Sequence, residues 1–368
     1  MVPDKILLVQ LYSNGDCLYA TAVARQIKKD FPQCVLTWAI SIVCKNIILN
    51  NPYVDEILVI DSVAKNDEKA FRKFLFSVHQ SKSWNTIIVT QISGKNQAHY
   101  DGCIRSAIFR GYQFPLKGNV QPVLRLTTNE NQNVVNFAQL HHLSNYRKVV
   151  LFEFAPLSGQ SALTPAQAME IAERLILMNA AVILSSANKI THLNPAIIDG
   201  SSLSIRETAG LTHFCSFLIG CSSGITWLST SDAGKRLPMV QLLNPRANWI
   251  NPISRDFSRF EIDDTGLIEL YNFNTESVIE CVNEALVDFE GTKRKYHQQL
   301  PLHFKTTISI VYNLLCYLEF RAIFKHIRIN RQVYGTRLAF YKEVATGFLI
   351  FPFRLTYNFF RKGSKIRN

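Results

Sequence analysis

The sequence has few of the features that mark metal proteins, disulfide-rich secreted proteins or membrane-spanning proteins. Its eight cysteines are scattered, with no C-x-x-C pair and no His/Cys cluster at metal-ligand spacing. This distribution is typical of reduced, mostly buried thiols in a cytosolic protein. The first residues, Met-Val-Pro-Asp-Lys, run directly into an apolar segment, which predicts that no signal peptide is present. We therefore expect a cytoplasmic protein without a metal ion or a bound cofactor.

Acidic residues are almost absent from the last fifth of the chain. Residues 293–368 contain 15 Lys or Arg and only two acids, whereas the other 292 residues contain 25 basic and 26 acidic residues. The net charge of +12 therefore belongs to this C-terminal tail. Residues 304–368 also contain 14 aromatic residues, all of them Phe or Tyr. The uncharged run 344–353 has only ten residues and includes Pro352, whereas a membrane-spanning helix needs about 20.

Three interpretations of this basic, aromatic tail remain open. Basic residues with interleaved bulky apolar side chains favour a helical segment that lies on an anionic membrane, and we expect residues 304–368 to have this role. The protein would then be peripherally associated with the inner face of the cytoplasmic membrane. Alternatively, the tail is a helical arm that packs its aromatic residues on the body or on a second subunit. Binding of single-stranded nucleic acid also fits aromatic and basic residues, but we do not expect nucleic acid as a partner.

The rest of the chain alternates short apolar runs with amphipathic stretches, which predicts βαβ units and parallel sheets. The strand-like runs are 5–10, 34–40, 56–60, 86–91, 121–126, 148–154, 181–185, 216–220 and 238–243. The helix-like stretches between them include 17–30, 66–80, 131–143, 164–178 and 275–288.

The polar connection at 127–147 predicts a domain boundary in that region. We expect one domain over 1–145, a second domain over 146–292 and the tail over 293–368. The fold class is then α/β, with two Rossmann-like domains facing a central cleft and a mainly helical C-terminal tail. In such folds, ligands bind outside the carboxyl ends of the strands.

Two strand-to-helix loops carry the candidate site residues. In the first, Asn14, Gly15 and Asp16 precede a helix predicted to start near Cys17. Asp16 is either the N-cap of this helix or a general base at the cleft, and Asn14 and Gly15 would lie beside it.

The second loop contains Cys221, Ser222, Ser223 and Gly224 after an apolar strand. Small hydroxyl residues at a helix start either cap the helix or leave backbone N–H groups free for a phosphate. A third loop offers further candidates for contact with a phosphate, namely Ser158, Gln160 and Ser161. His99, in the loop after the strand at 86–91, is a further candidate for the cleft.

Two blocks of sequence resemble glycosyltransferase family 9, the ADP-heptose:lipopolysaccharide heptosyltransferase family. The first is KILLVQLYSNGDCLYATAVARQIKKDFPQ followed by NNPYVDEILVID, which has the family's strand, G-D loop, helix with an F-P turn, and N-P-x-V-D-E segment. The second is SIRETAGLTHFCSFLIGCSSGITWLSTSDAGKRLPMVQLLNP, which resembles the family's helix, strand, D-[ST]-G-x-x-H loop, helix and strand. The resemblance covers residues 4–290 and excludes the tail.

This resemblance implies the GT-B architecture and an inverting, metal-independent transfer of a hexosyl or heptosyl group from a nucleotide sugar. The family's aspartate base falls on Asp16, and its diphosphate loop falls on Ser222, Ser223, Gly224 and Thr226. The domain over 1–145 would then bind the acceptor, with Asn14, Gly15 and His99 on the acceptor side. The domain over 146–292 would bind the nucleotide sugar, with Cys221, Ser158, Gln160 and Ser161 as further donor-binding residues. The acceptor would be a hydroxyl of a bacterial surface glycan, such as lipopolysaccharide or capsule, or of a lipid-linked saccharide.

The chain departs from the family pattern in three places. Ser222 and Trp227 stand where the family has Asp and His, and residues 156–165 lack the family's lysine. The resemblance therefore does not identify the donor as ADP-heptose. A non-catalytic protein that binds a nucleotide sugar, or a scaffold with the GT-B fold, remains the alternative to an enzyme.

Overall fold

The computed structural model describes residues 4–155, 163–247 and 252–364, and within 354–364 it describes the backbone alone. The described chain forms two parallel sheets flanked by helices, followed by a group of C-terminal helices. The predicted fold class of two Rossmann-like domains with a helical tail is thus confirmed. The domain boundaries stay predictions.

The first sheet is built from the N-terminal part of the chain. Its elements and the helices that follow it are β1 (Lys5–Val9), α1 (Asn14–Asp30), β2 (Val35–Ile40), β3 (Glu56–Val59), α2 (Glu68–Ser81), β4 (Thr86–Val89), α3 (Ile104–Phe109) and α4 (Thr128–Leu140). The strands are parallel in the order β3-β2-β1-β4. Residues 6–9 of β1 are buried on both faces of the sheet, which explains their continuous apolar run.

The second sheet has six parallel strands. Its elements are β5 (Lys148–Glu153), α5 (Pro165–Leu175), β6 (Ala180–Ser185), β7 (Ile197–Asp199), α6 (Ile205–Leu211), β8 (Phe217–Gly220), α7 (Gly224–Leu228), β9 (Met239–Leu242), α8 (Ile253–Arg259), β10 (Leu267–Leu270), α9 (Thr275–Ala285) and α10 (Phe289–Tyr296). The strand order is β10-β9-β8-β5-β6-β7, so β5 and β8 lie at the centre. Short strands β7 and β10 have no counterpart among the predicted runs.

The predicted strand at 121–126 is wrong. This segment runs between the two sheets, and its backbone is held by side chains rather than by a neighbouring strand. The N–H of Val123 donates to Oγ1 of Thr21 at 2.8 Å, and the N–H of Leu124 donates to Oδ1 of Asp232 at 2.8 Å. Since these bonds satisfy the backbone, its apolar side chains are buried without joining a sheet.

The C-terminal helices return to the first sheet. They are α11 (Thr306–Cys316), α12 (Phe320–Tyr334) and α13 (Leu338–Ser364). Their buried residues, among them Phe304 and Phe340, form one apolar cluster with Ala98, Tyr100 and Ala107. Part of the tail therefore packs on the body, as one of the three open interpretations predicts.

The opposite side of these helices is exposed. Phe320, Phe324, Leu338 and Phe353 are 50%, 71%, 85% and 75% exposed, respectively. No helix within the described ranges combines the length and the apolar character needed to cross a membrane. The described part of the tail thus has one apolar face that is buried and a second that is uncovered.

Candidate functional site

A cavity of about 540 Å³ lies between the two sheets. It is lined from one side by the loops that follow β1, β2 and β3, and from the other by the ends of β5 and β6 and the loop that follows β8. The strands of each sheet are parallel, so their carboxyl ends lie along one edge of that sheet. The cavity lies between these two edges. The cavity has the size and position of a ligand site in an α/β protein.

The loop after β1 brings Asn14, Gly15 and Asp16 into the cavity wall. Helix α1 begins at Asn14, so Asp16 lies in its first turn and Ser13 occupies the N-cap position. The N-cap interpretation of Asp16 is therefore wrong. Ser13 has a φ of 70°, a conformation that costs free energy for a residue with a side chain and is often found at functional sites.

The carboxyl group of Asp16 makes no hydrogen bond or ion pair within the described ranges. Burial raises its pKa from 3.8 to about 7, and the nearby Lys65 acts in the opposite direction. The amide oxygen Oδ1 of Asn14 is also buried without a described partner. Two side-chain acceptors of this loop are therefore left available to a ligand.

The loop after β8 supplies Ser222, Ser223 and Gly224 to the opposite wall. Ser222 has a φ of 54°, so each of the two loops has a strained serine. A Cβ on Gly220 would lie only 2.6 Å from Oγ1 of Thr226, so the end of β8 requires glycine. Helix α7 has just five residues and contributes little dipole to this wall.

Cys221 and Thr226 lie behind this wall and do not line the cavity. The Sγ atom of Cys221 is 3.4 Å from the backbone oxygen of Glu153. The hydroxyl of Thr226 donates to Oε1 of Gln241 at 3.0 Å. Both side chains therefore hold the loop in position instead of facing a ligand.

The two loops touch each other. A Cβ on Gly15 would lie 3.6 Å from Cδ1 of Trp227 and 3.8 Å from Cα of Gly224. The Trp227 ring, which stands where the family has His, packs on Tyr19 with ring centroids 4.9 Å apart. Trp227 thus connects the loop after β8 to the helix that bears Asp16.

A buried ion pair lies beside this contact. Nη2 of Arg105 is 3.1 Å from Oδ1 of Asp256, and both side chains are at most 1% exposed. The guanidinium lies over the rings of Tyr19 and Trp227, at 4.7 and 5.3 Å from their centroids. Arg105 lies on α3, which follows the first sheet, and Asp256 lies on α8, between β9 and β10 of the second sheet. The pair therefore links the two halves of the molecule.

Glu153 lines the cavity, although it is not among the residues predicted from the sequence. It ends β5, is 5% exposed and accepts a short hydrogen bond from the hydroxyl of Ser223 through Oε1. Its Oε2 has no hydrogen-bond partner among the described residues. Burial raises the pKa of Glu153 to about 7. The only signal in the sequence is a charged residue inside the apolar run 148–154.

Of the remaining candidates, the described residue His99 does not line the cavity. His99 is buried beneath α12, with its Nε2 atom 2.7 Å from Nζ of Lys325. Ser158, Gln160 and Ser161 lie outside the described residues. Across the part of the chain that is described, no group of three or more His, Cys, Asp or Glu could hold a metal ion.

No protein-family model and no curated protein matches the sequence. Solved structures do match. The glycosyl transferase family 9 protein from Veillonella parvula DSM 2008 has a TM-score of 0.55 at 13% identity, covering 80% of this chain and 94% of that chain. The ADP-heptose LPS heptosyltransferase II of E. coli has a TM-score of 0.53 at 16% identity, covering 78% of this chain and 99% of that chain. At these identities the likeness shows the fold, and it confirms the predicted GT-B architecture.

Proposed function

We propose that this protein is a glycosyltransferase that moves a sugar from a nucleotide-diphosphate donor to a hydroxyl group, with inversion and without a metal ion. The acceptor would be a bacterial surface glycan or a lipid-linked saccharide. One observation carries the proposal: the carboxyl group of Asp16 lines the cavity between the two sheets and has no described partner there. The shared fold with the two glycosyltransferases supports it.

Asp16 would act as the general base. Its carboxylate takes the proton of the acceptor hydroxyl, the acceptor oxygen bonds to the anomeric carbon, and the nucleoside diphosphate leaves with the electrons of the broken bond. A pKa of about 7 suits a base that works near neutral pH. Partial burial also keeps water from competing for the carboxylate.

The donor diphosphate would lie against Ser222, Ser223 and Gly224, on the wall opposite Asp16. Both serines and the glycine of this loop line the cavity. Ser158, Gln160 and Ser161 remain proposed donor contacts on sequence grounds. Because Ser222 and Trp227 depart from the family pattern, we assign no particular base or sugar to the donor.

The proposed base is tested by Asp16→Asn, which keeps the side-chain shape and removes the proton acceptor. Transfer is measured with a panel of nucleotide sugars and glycan acceptors, and donor binding is measured by calorimetry. We expect turnover to fall by about 10²–10⁴ with donor affinity retained. The matched control is Glu280→Gln, which makes the same kind of change at an exposed carboxylate on α9 and should leave turnover unchanged.

Two results would contradict this proposal. Near-normal turnover of the Asp16→Asn variant would remove Asp16 from the mechanism. Donor binding by the unsubstituted protein, with neither transfer nor donor hydrolysis across the panel, would favour the non-catalytic nucleotide-sugar-binding protein instead.

We also propose that the C-terminal helices bind an anionic membrane at the cytoplasmic face. The exposed residues of α12 include Arg321, Lys325, Arg328 and Arg331, with Phe324 among them. Residues 320–342 contain no acid. Each basic residue near an anionic surface contributes about 1 kcal/mol, so these four would contribute about 4 kcal/mol. This surface would bring the enzyme to a lipid-bearing acceptor.

Sedimentation with vesicles tests the membrane proposal. The protein should bind vesicles that contain phosphatidylglycerol and leave pure phosphatidylcholine vesicles unbound. Changing the four basic residues of α12 to Gln should release it. The control variant changes four exposed basic residues elsewhere to Gln, namely Lys117, Arg147, Lys189 and Arg246. It removes the same charge and should still bind the vesicles. Equal binding by the two quadruple variants would contradict the proposal.

A further inference from the structure

Glu153 is a carboxyl group in the wall where the donor diphosphate is proposed to bind. It is 5% exposed, and its Oε1 accepts from the hydroxyl of Ser223, which lines the same cavity. Its Oε2 has no described hydrogen-bond partner. An ionised carboxylate in this position would repel a diphosphate, because both are anions and the buried carboxylate is little screened by solvent.

The other charged and titratable groups of the cavity do not neutralise Glu153. The titratable residues that line the cavity with Glu153 are Tyr12, Asp16, Tyr19, Cys44 and Lys65. Behind Glu153, the Cys221 thiol contacts its backbone oxygen, and β6 contributes only Ser185 to the cavity at this level. Lys65 is the single Lys or Arg in the described cavity wall, and it belongs to the first-sheet side.

The protonation state of Glu153 decides what Ser223 offers to a ligand. When Glu153 is ionised, the Ser223 hydroxyl donates to it, and only the lone pairs of Oγ remain for the cavity. When Glu153 is protonated, its O–H can donate to Oγ, and the Ser223 hydroxyl is then free to donate elsewhere. A phosphate oxygen accepts hydrogen bonds and does not donate them. The single hydrogen of the Ser223 hydroxyl can therefore serve a phosphate oxygen only when it is not donated to Glu153, as is the case when Glu153 is protonated.

We propose that Glu153 is a donor-binding residue that takes up a proton from water when the diphosphate binds, which turns the Ser223 hydroxyl towards a phosphate oxygen. This inference rests on the proposed function, since it requires a nucleotide-diphosphate donor. Residues 156–165 lack the lysine that the family has there, and Ser223 with protonated Glu153 would give the phosphate a neutral contact instead. No bond to the sugar is formed or broken in this step.

The experiment measures the affinity for intact nucleotide sugars at pH 6 and pH 8. The probes are UDP-glucose, GDP-mannose and ADP-glucose, because the charge of their diphosphate does not change over this range. All proteins carry Asp16→Asn, so that turnover is blocked and Asp16 does not titrate. The variants compared are Asp16→Asn alone and Asp16→Asn with Glu153→Gln, whose amide donates to Ser223 at every pH.

With a pKa of about 7 for Glu153, the Asp16→Asn protein should bind the donor about tenfold more weakly at pH 8 than at pH 6. Calorimetry at pH 8 in two buffers of different ionisation enthalpy should show uptake of nearly one proton. The protein with the added Glu153→Gln change should bind equally well at both pH values and take up no proton. Adding Ser223→Ala instead should weaken binding at pH 6, because it removes the proposed phosphate contact.

The outcomes separate this inference from the proposed function. Donor binding that has the same pH dependence with Glu or Gln at position 153 would overturn the role of Glu153 and leave the donor proposal intact. Failure of all three probes to bind at either pH would overturn the proposed donor and the present inference together.

Discussion

Replacing Asp16 by Asn should stabilise the protein at alkaline pH while it removes the proposed base. Asp16 is partly buried, and its carboxyl group has no described hydrogen-bond donor to stabilise its charge. The folded protein therefore binds the proton of Asp16 more tightly than the unfolded chain does. An asparagine of the same shape fills the site without a charge at any pH.

The magnitude follows from the pKa of Asp16, which is raised from 3.8 to about 7. A tenfold change in proton affinity is worth about 1.4 kcal/mol, so ionising Asp16 costs the folded state at most about 4 kcal/mol. Because the pKa of Asp16 is raised in the folded protein, the bound proton stabilises the fold. This stabilisation is fully present below pH 3.8 and is lost as the pH rises from 3.8 through 7. About 2.5 kcal/mol of the loss falls between pH 5 and pH 8.

Urea denaturation of both proteins at pH 5 and pH 8 measures the effect. The stability advantage of the Asp16→Asn protein should be about 2.5 kcal/mol larger at pH 8 than at pH 5. Glu153 titrates in both proteins, so its contribution cancels in the difference. Glu280→Gln should show no such change with pH. If the Asn advantage is the same at both pH values, Asp16 is ionised as easily as an exposed carboxylate, and the reasoning about its burial is wrong.

Two further predictions concern the same region. The value of kcat/KM should rise with pH through an apparent pKa near 7, because Asp16 of the free enzyme must be ionised to accept a proton, and a flat profile from pH 5 to 9 would contradict this. Arg105→Met should lower the free energy of unfolding by about 3–5 kcal/mol, because it removes the ion-pair partner of buried Asp256. A double variant with Asp256→Asn should recover part of that loss in thermal denaturation, and full additivity of the two changes would contradict the pairing.

The position of Asp16 at the cavity could be predicted from the sequence, because a polar loop with Gly15 directly follows a buried strand. The end of a parallel strand fixes where the next residues lie. The same rule places Ser222, Ser223 and Gly224 at the corresponding edge of the second sheet. These local patterns needed no knowledge of how the two sheets are arranged.

Glu153 and Arg105 could not be predicted in this way. A glutamate at the end of an apolar run has the same local pattern whether it is solvated or buried in a cavity. The environment of Arg105 comes from Tyr19 and Trp227, which are far apart in the chain and meet only in the folded protein. The segment 121–126 was wrongly predicted as a strand for a related reason. Its apolar pattern indicates that the side chains are buried, but it does not indicate whether a neighbouring strand is present to bond the backbone.

The return of α11 and α12 to the first sheet has a consequence for biosynthesis. Ala98, Tyr100 and Ala107 are covered by residues that leave the ribosome some 200 residues later in the chain. During translation the nascent N-terminal part therefore exposes this apolar patch until the entire second sheet has been synthesised. Chaperone contact during synthesis would be concentrated on that patch, and a prematurely terminated chain would expose it permanently.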